Sequence, residues 1–202
     1  MGPMKAVIVE VSAQELERRR RTGKDVRDEM WVGVLHMAPA PTLEQQRIQD
    51  RLLLFLVPLL ESRRAGTLVS GINVFDEKAA EDDYRIPDLT YVAAGRENLL
   101  APDGVRGGGP DVVLEIRSPG DETYEKLPFF SRLGVREVVV VDRDTKKPEV
   151  FRLAGPEYLA VAPDRDGWVT SECLGVRMRA LASGPKHLVV EDLADPGRRS
   201  QI

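Results

Sequence analysis

Asp88 in IPDLTYV and Glu115 in PDVVLEIRSP stand at the ends of neighbouring apolar runs, and Lys126 follows in DETYEKL. β-rich segments usually reject carboxylates, so two of them placed where buried-looking strands meet demand a partner. Oxygen donors gathered in this way can hold a hard divalent cation such as Mg²⁺. Such a cation is the centre of metal-assisted phosphodiester cleavage. Asp88 follows a proline at a strand start, where an aspartate serves equally well as a turn cap or as a ligand. Glu115 is more constrained: left unpaired between Val113, Leu114 and Ile116 it would cost several kcal/mol, so a cation or Lys126 is the expected partner. Taken alone, Lys126 reads as a surface helix lysine.

The other reactive side chains read as scaffold. His36 and His187 are the only histidines, and neither has the spacing of a zinc site or a triad, so both are assigned core or surface roles. Ser118 beside Pro119 lacks a Gly-x-Ser-x-Gly frame and reads as a turn. Gly107, Gly108, Gly109 and Pro110 form a loop rather than a phosphate cradle, because no helix opening on Lys-Ser or Lys-Thr follows. Trp31 and Trp168 read as packing residues. The run Arg18 to Arg21 offers either phosphate contacts or a solvated face that complements a helix dipole, and the second reading is preferred.

These residues need a frame. Ser12 and Glu15 have capping-box spacing, which opens a short helix that ends before Gly23. MWVGVLHMA reads as one strand, ended by Pro39 and Pro41. Thr42 caps the longest helix, LEQQRIQDRLLLFLVPLLESRR, in which Ile48, Leu52, Phe55, Leu56 and Leu60 form the stripe of a helix lying on a sheet. Pro58 should loosen its last turns. GTLVSGINVF, IPDLTYVAA and PDVVLEIR follow as strands. DETYEKLPFFSRLG gives a second helix, ending at Gly134 and starting close before Pro128. EVVVVD reads as a strand covered on both faces. PEVFRLA, EYLAVA, GWVTSE and VRMRAL add an antiparallel meander to the core sheet, and EDLADPGRRSQI reads as a frayed polar end.

With 202 residues, 42% hydrophobic and 31% charged, the chain fits one soluble domain with a sizeable core. A single cysteine, Cys173, excludes an internal disulfide and points to a reducing cytoplasm. The first residues lack the parts of a secretory signal, and no stretch is apolar for long enough to span a membrane. A net charge of −4 does not announce a nucleic-acid binder, so any surface for phosphates must be local.

Helix, three strands, helix, strand, with acids on the second and third of those strands and a lysine just beyond, resembles the PD-(D/E)XK nuclease superfamily. Within it the chain is most similar to the Uma-type restriction endonuclease family of bacteria. DEMWVG with Glu29 and Gly33, PAPTLEQQRIQDRL, RIPDLTYV with Pro87 and Asp88, VVLEIRSP with Glu115, Ser118 and Pro119, then EKL and GVREVVVVD carry the likeness, from about Asp28 to Asp142.

The resemblance implies an α/β fold (an α+β mixed sheet) with a restriction-endonuclease-like core, helices flanking a central mixed sheet, and a C-terminal antiparallel meander added to it. The expected division of one domain is an N-terminal helical extension over 1–27, the nuclease-like core over 28–142, a β extension over 143–195 and a flexible tail over 196–202. It also implies that Asp88, Glu115 and the Ile116 carbonyl bind Mg²⁺, with Mn²⁺ as a substitute, beside the scissile phosphate. The superfamily's usual lysine, two residues after the glutamate, is here Arg117, which stays protonated but can clamp a phosphate. Lys126 takes the lysine's role. Glu29 completes the metal shell or orients its water, with Glu44 the alternative. Gln45 stands where many members have a histidine, and Phe130 where a tyrosine is common. Asp88, Glu115, Lys126 and Glu29 are thus the expected catalytic group, and Arg117, Gln45 and Glu44 the expected substrate contacts. The implied function is a Mg²⁺-dependent endonuclease acting on DNA as a homodimer in the cytoplasm. The alternative is an inactive nuclease-fold module for nucleic-acid binding or protein interaction.

Overall fold

The computed structural model describes residues 7–8, 12–23, 25–37, 40–181, 184 and 186–202. In chain order come β1 (Val7–Ile8), α1 (Ala13–Arg21), β2 (Asp28–Trp31), β3 (Val34–Met37), α2 (Leu43–Ser62), β4 (Gly66–Ser70) and β5 (Asn73–Phe75). Next are β6 (Tyr84–Arg85), β7 (Leu89–Ala93), β8 (Leu100–Ala101), β9 (Gly104–Val105), β10 (Val112–Arg117), α3 (Leu127–Arg132) and β11 (Glu137–Asp142). The chain closes with β12 (Pro148–Ala154), β13 (Glu157–Ala160), β14 (Val169–Ser171), β15 (Val176–Ala180), β16 (Leu188–Asp192) and β17 (Arg199–Gln201). None of the helices among the described residues is long and apolar enough to cross a membrane.

The central sheet has the order β13-β12-β11-β10-β7-β4 and is mixed, with β10 and β11 parallel and the other neighbours antiparallel. Alternation along its strands sends side chains to two cores. Val112, Leu114 and Ile116 of β10, with Val139 and Val141 of β11, meet Ile48, Leu52, Leu56, Leu59 and Leu60 of α2. Val113, Val138 and Val140 point the other way, against Phe129 and Phe130 of α3. Each of these fully buried leucines and phenylalanines contributes about 1.5–3 kcal/mol. The buried middle of the sheet explains why EVVVVD carries no polar residue inside it.

Both helix starts agree with their caps: Ser12 Oγ accepts from Glu15 N at 3.2 Å, and Thr42 Oγ1 from Gln45 N at 3.2 Å. Pro58 lies inside α2, which continues to Ser62. Four other expectations change. MWVGVLHMA is a hairpin, β2 turning into β3 through Val32 (φ 49°) and Gly33 (φ 77°), the positive φ at both positions being that of a type I′ two-residue turn. The proposed stop at Pro39 lies outside the described residues. GTLVSGINVF breaks at Gly71 (φ 60°) into β4 and β5, which join different sheets. The meander is divided: β12 and β13 extend the central sheet, whereas β14, β15, β16 and β17 form a separate antiparallel sheet that covers α2. The closing residues are not frayed, since β17 pairs with β16 and Ile202 is buried and exchanges two 2.8 Å backbone bonds with Leu188.

Candidate active site

Period-two alternation places both acids on one face. Leu89 and Tyr91 of β7 face α2, so Asp88, Thr90 and Val92 face the α3 side, as do Val113 and Glu115 of β10. The β7–β10 ladder stops at Leu89 opposite Leu114. One step further the Ile116 amide donates to Asp88 Oδ2 at 2.7 Å, so the carboxylate replaces the missing strand partner. Its other oxygen, Oδ1, lies 3.9 Å from Arg27. Asp88 is therefore a backbone cap and a cleft carboxylate at once.

Lys126 enters from the short 3₁₀ turn Tyr124–Lys126 that leads into α3. Its Nζ donates to Glu29 Oε1 at 2.8 Å and to Glu115 Oε1 at 3.1 Å. Glu29, on β2, is fully engaged: Oε1 also accepts from Ile86 N and Oε2 from Trp31 Nε1, each at 2.9 Å. Glu115 Oε2 makes no hydrogen bond among the described residues.

Burial dominates the electrostatics, as Asp88, Glu115 and Glu29 are 8%, 5% and 6% exposed. It pushes the Glu115 carboxyl up to about 8; the Lys126 ammonium opposes this, and Asp88 and Glu29 add to it. Burial also raises Asp88, against the pull of the Ile116 amide and of Lys126. Burial raises Glu29 too, but Lys126, Ile86 and Trp31 outweigh it and the net shift is downward. For Lys126 burial acts downward, and the two glutamates more than reverse it, so the side chain is held as a cation.

Asp88, Glu115, Lys126, Glu29, Ile116 and Gln45 all line one cleft of about 430 Å³. Arg117 and Glu44 do not. Arg117 lies opposite Asp142 in the β10–β11 register, pairs with it at 3.0 Å and covers the Tyr124 ring. Glu44 is bound by Lys146. Phe130 is buried in the α3-side core. Of the four arginines of α1, Arg18 pairs with Glu15 and Arg19 with Asp28.

Some cleft residues went unread in the sequence. His36 lines the cleft rather than serving core or surface; its Nδ1 is 2.8 Å from Glu122 Oε2 and its ring stacks on Trp31 at 4.0 Å. Gln49 donates to the Asp88 carbonyl at 3.2 Å, leaving its buried Oε1 without a partner. Gln49 could have been found, because a polar residue between Gln45 and Leu52 interrupts the apolar face of α2.

A model of the Uma2 family, described as "Putative restriction endonuclease", matches residues 13–183. The chain belongs to this family. Among solved structures it is similar to a "putative nuclease belonging to DUF820" from Anabaena variabilis ATCC 29413, at 17% identity and a TM-score of 0.58, covering 73% of this chain and 82% of that one. That likeness is one of fold, and it places this Uma2 chain in the restriction-endonuclease-like architecture. No curated protein matches it.

The donor set suits a hard cation. Among the described residues no three His, Cys, Asp or Glu side chains are grouped to hold a metal ion. What the Uma2 cleft offers is two buried carboxylates beside the Ile116 position. Mg²⁺ commonly binds such a sparse oxygen set and keeps its remaining positions for water and phosphate. A Glu115 carboxyl raised to about 8 by burial is a group that a divalent charge would return to the ionised form.

Proposed function

We propose that this Uma2 chain is an endonuclease that hydrolyses phosphodiester bonds of DNA with the help of Mg²⁺ or Mn²⁺. The observation that carries the reading is the meeting of Asp88, Glu115 and Lys126 in one cleft, with Lys126 bonded to Glu115 at 3.1 Å. Asp88, Glu115 and the Ile116 carbonyl would hold the cation. When bound, it supplies neutralising charge for the phosphate and a more acidic water.

The chain's own groups do the rest. Lys126 has three donors and uses two on Glu29 and Glu115, which leaves one for a phosphate oxygen in the transition state. Glu29 positions that ammonium, with its Oε1 already accepting two hydrogen bonds and its Oε2 one. Arg27 adds a second cation at the cleft, in the place expected of Arg117. Asp88→Asn and Glu115→Gln are each expected to abolish divalent-dependent nicking of plasmid DNA while circular dichroism stays unchanged. Wild type that neither nicks any substrate nor binds Mn²⁺ in calorimetry contradicts the reading.

The second reading, an inactive module, is favoured by one observation: Asp88 already serves the backbone through Ile116. Salt-sensitive DNA binding with no cleavage under any divalent ion would select it. Cutting both strands of a duplex needs two sites, which a two-fold dimer supplies. Light scattering at working concentration should read two chains, and one chain alone removes that argument.

A further inference from the structure

Hydrolysis needs a group to take a proton from the attacking water, and neither Lys126 nor Arg117 can serve. Lys126 is held as an ammonium between Glu29 and Glu115, and Arg117 points to Asp142. His36 is left. A carboxylate only accepts, so the 2.8 Å contact with Glu122 puts the ring hydrogen on Nδ1, and in the neutral imidazole Nε2 is then the acceptor. Nε2 makes no hydrogen bond among the described residues, although the side chain is only 14% exposed and lines the cleft. Stacking on Trp31, with 8° between the planes, fixes the ring, and Trp31 is itself tied to Glu29.

We propose that His36, oriented by Glu122, is the proton acceptor of the hydrolytic step; this rests on the nuclease reading and names its general base. As the water oxygen bonds to phosphorus, its proton passes to His36 Nε2. The bond from phosphorus to the leaving oxygen breaks with its electron pair on that oxygen, which is then protonated by solvent. Glu122 stabilises the imidazolium. The other charges around the ring are Glu29, bonded to Trp31, and Arg85, whose guanidinium lies over the Trp31 ring 4.1 Å from its centre. Asp88, Glu115, Lys126, Arg27 and Asp121 line the same cleft.

The test is single-turnover nicking of plasmid DNA in Mg²⁺ by wild type, His36→Ala and Glu122→Gln, with Mn²⁺ affinity measured by calorimetry on each. His36→Ala should lose roughly 10²–10⁴-fold in rate, keep its Mn²⁺ affinity, and regain rate in proportion to added imidazole. Glu122→Gln should lose less and also keep Mn²⁺ affinity. A His36→Ala rate within a few-fold of wild type overturns the proposal, and so does a loss that imidazole does not restore, which would make His36 structural. Wild type that neither nicks nor binds Mn²⁺ fails the nuclease reading itself, and is distinct from both.

Discussion

Lys126 bonds two buried glutamates and is the counter-ion of Glu29, so removing its charge leaves Glu29 buried and unpaired. Lys126→Met is expected to destabilise the chain by about 3–5 kcal/mol, read as a lower urea midpoint at unchanged slope. Unchanged stability would mean that Glu29 is neutralised by another group. Glu115, raised from 4.5 to about 8, holds a proton when folded that the unfolded chain releases. Between those values the folded state binds more protons, so stability falls as pH rises through the window. Without divalent ions, the melting temperature of wild type should therefore drop relative to Glu115→Gln between about pH 5 and pH 8. A pH-independent difference contradicts the raised carboxyl. Such acids were legible because strands seldom carry them unpaired. His36 and Glu122 were not, because they stand 86 positions apart and only the folded cleft joins them.

At the scale of elements, the β2–β3 hairpin sets Glu29, Trp31 and His36 side by side. Its turn carries a β-branched residue at positive φ, Val32, which is 55% exposed while its amide donates to Asp83 Oδ1 at 3.3 Å. Asn accepts that conformation far more readily, so Val32→Asn should stabilise the chain by roughly 1 kcal/mol in thermal melts. Destabilisation would mean that the valine side chain packs usefully. Here the sequence misled for a physical reason: Val-Gly between apolar residues has the composition of a continuing strand, and the strain that makes it a turn is imposed by Asp82 and Asp83 from another segment. The helices were easier to read, because Ser12 and Thr42 cap locally. The break at Gly71 depends on two sheets that no local pattern announces.

At the scale of the molecule, the second antiparallel sheet is part of the support for the site, since Met178, Leu188, Val190 and Ile202 share a core with α2 and the back of β10. The polar composition of the last residues hides this, because β17 is held by backbone pairing and by one buried isoleucine. Deleting residues 199–202 should cost about 2–3 kcal/mol, or roughly 5–10 °C in melting temperature. No change would return that segment to a frayed tail. The same packing holds β10 against β7, whose ends carry Glu115 and Asp88 into the cleft. The most direct test is the anomalous difference map of crystals soaked in Mn²⁺. One peak bonded to carboxylate oxygens of both Asp88 and Glu115 is the expected result. A map without a peak there at saturating Mn²⁺, or with Mn²⁺ bound only elsewhere, would contradict the metal-dependent site.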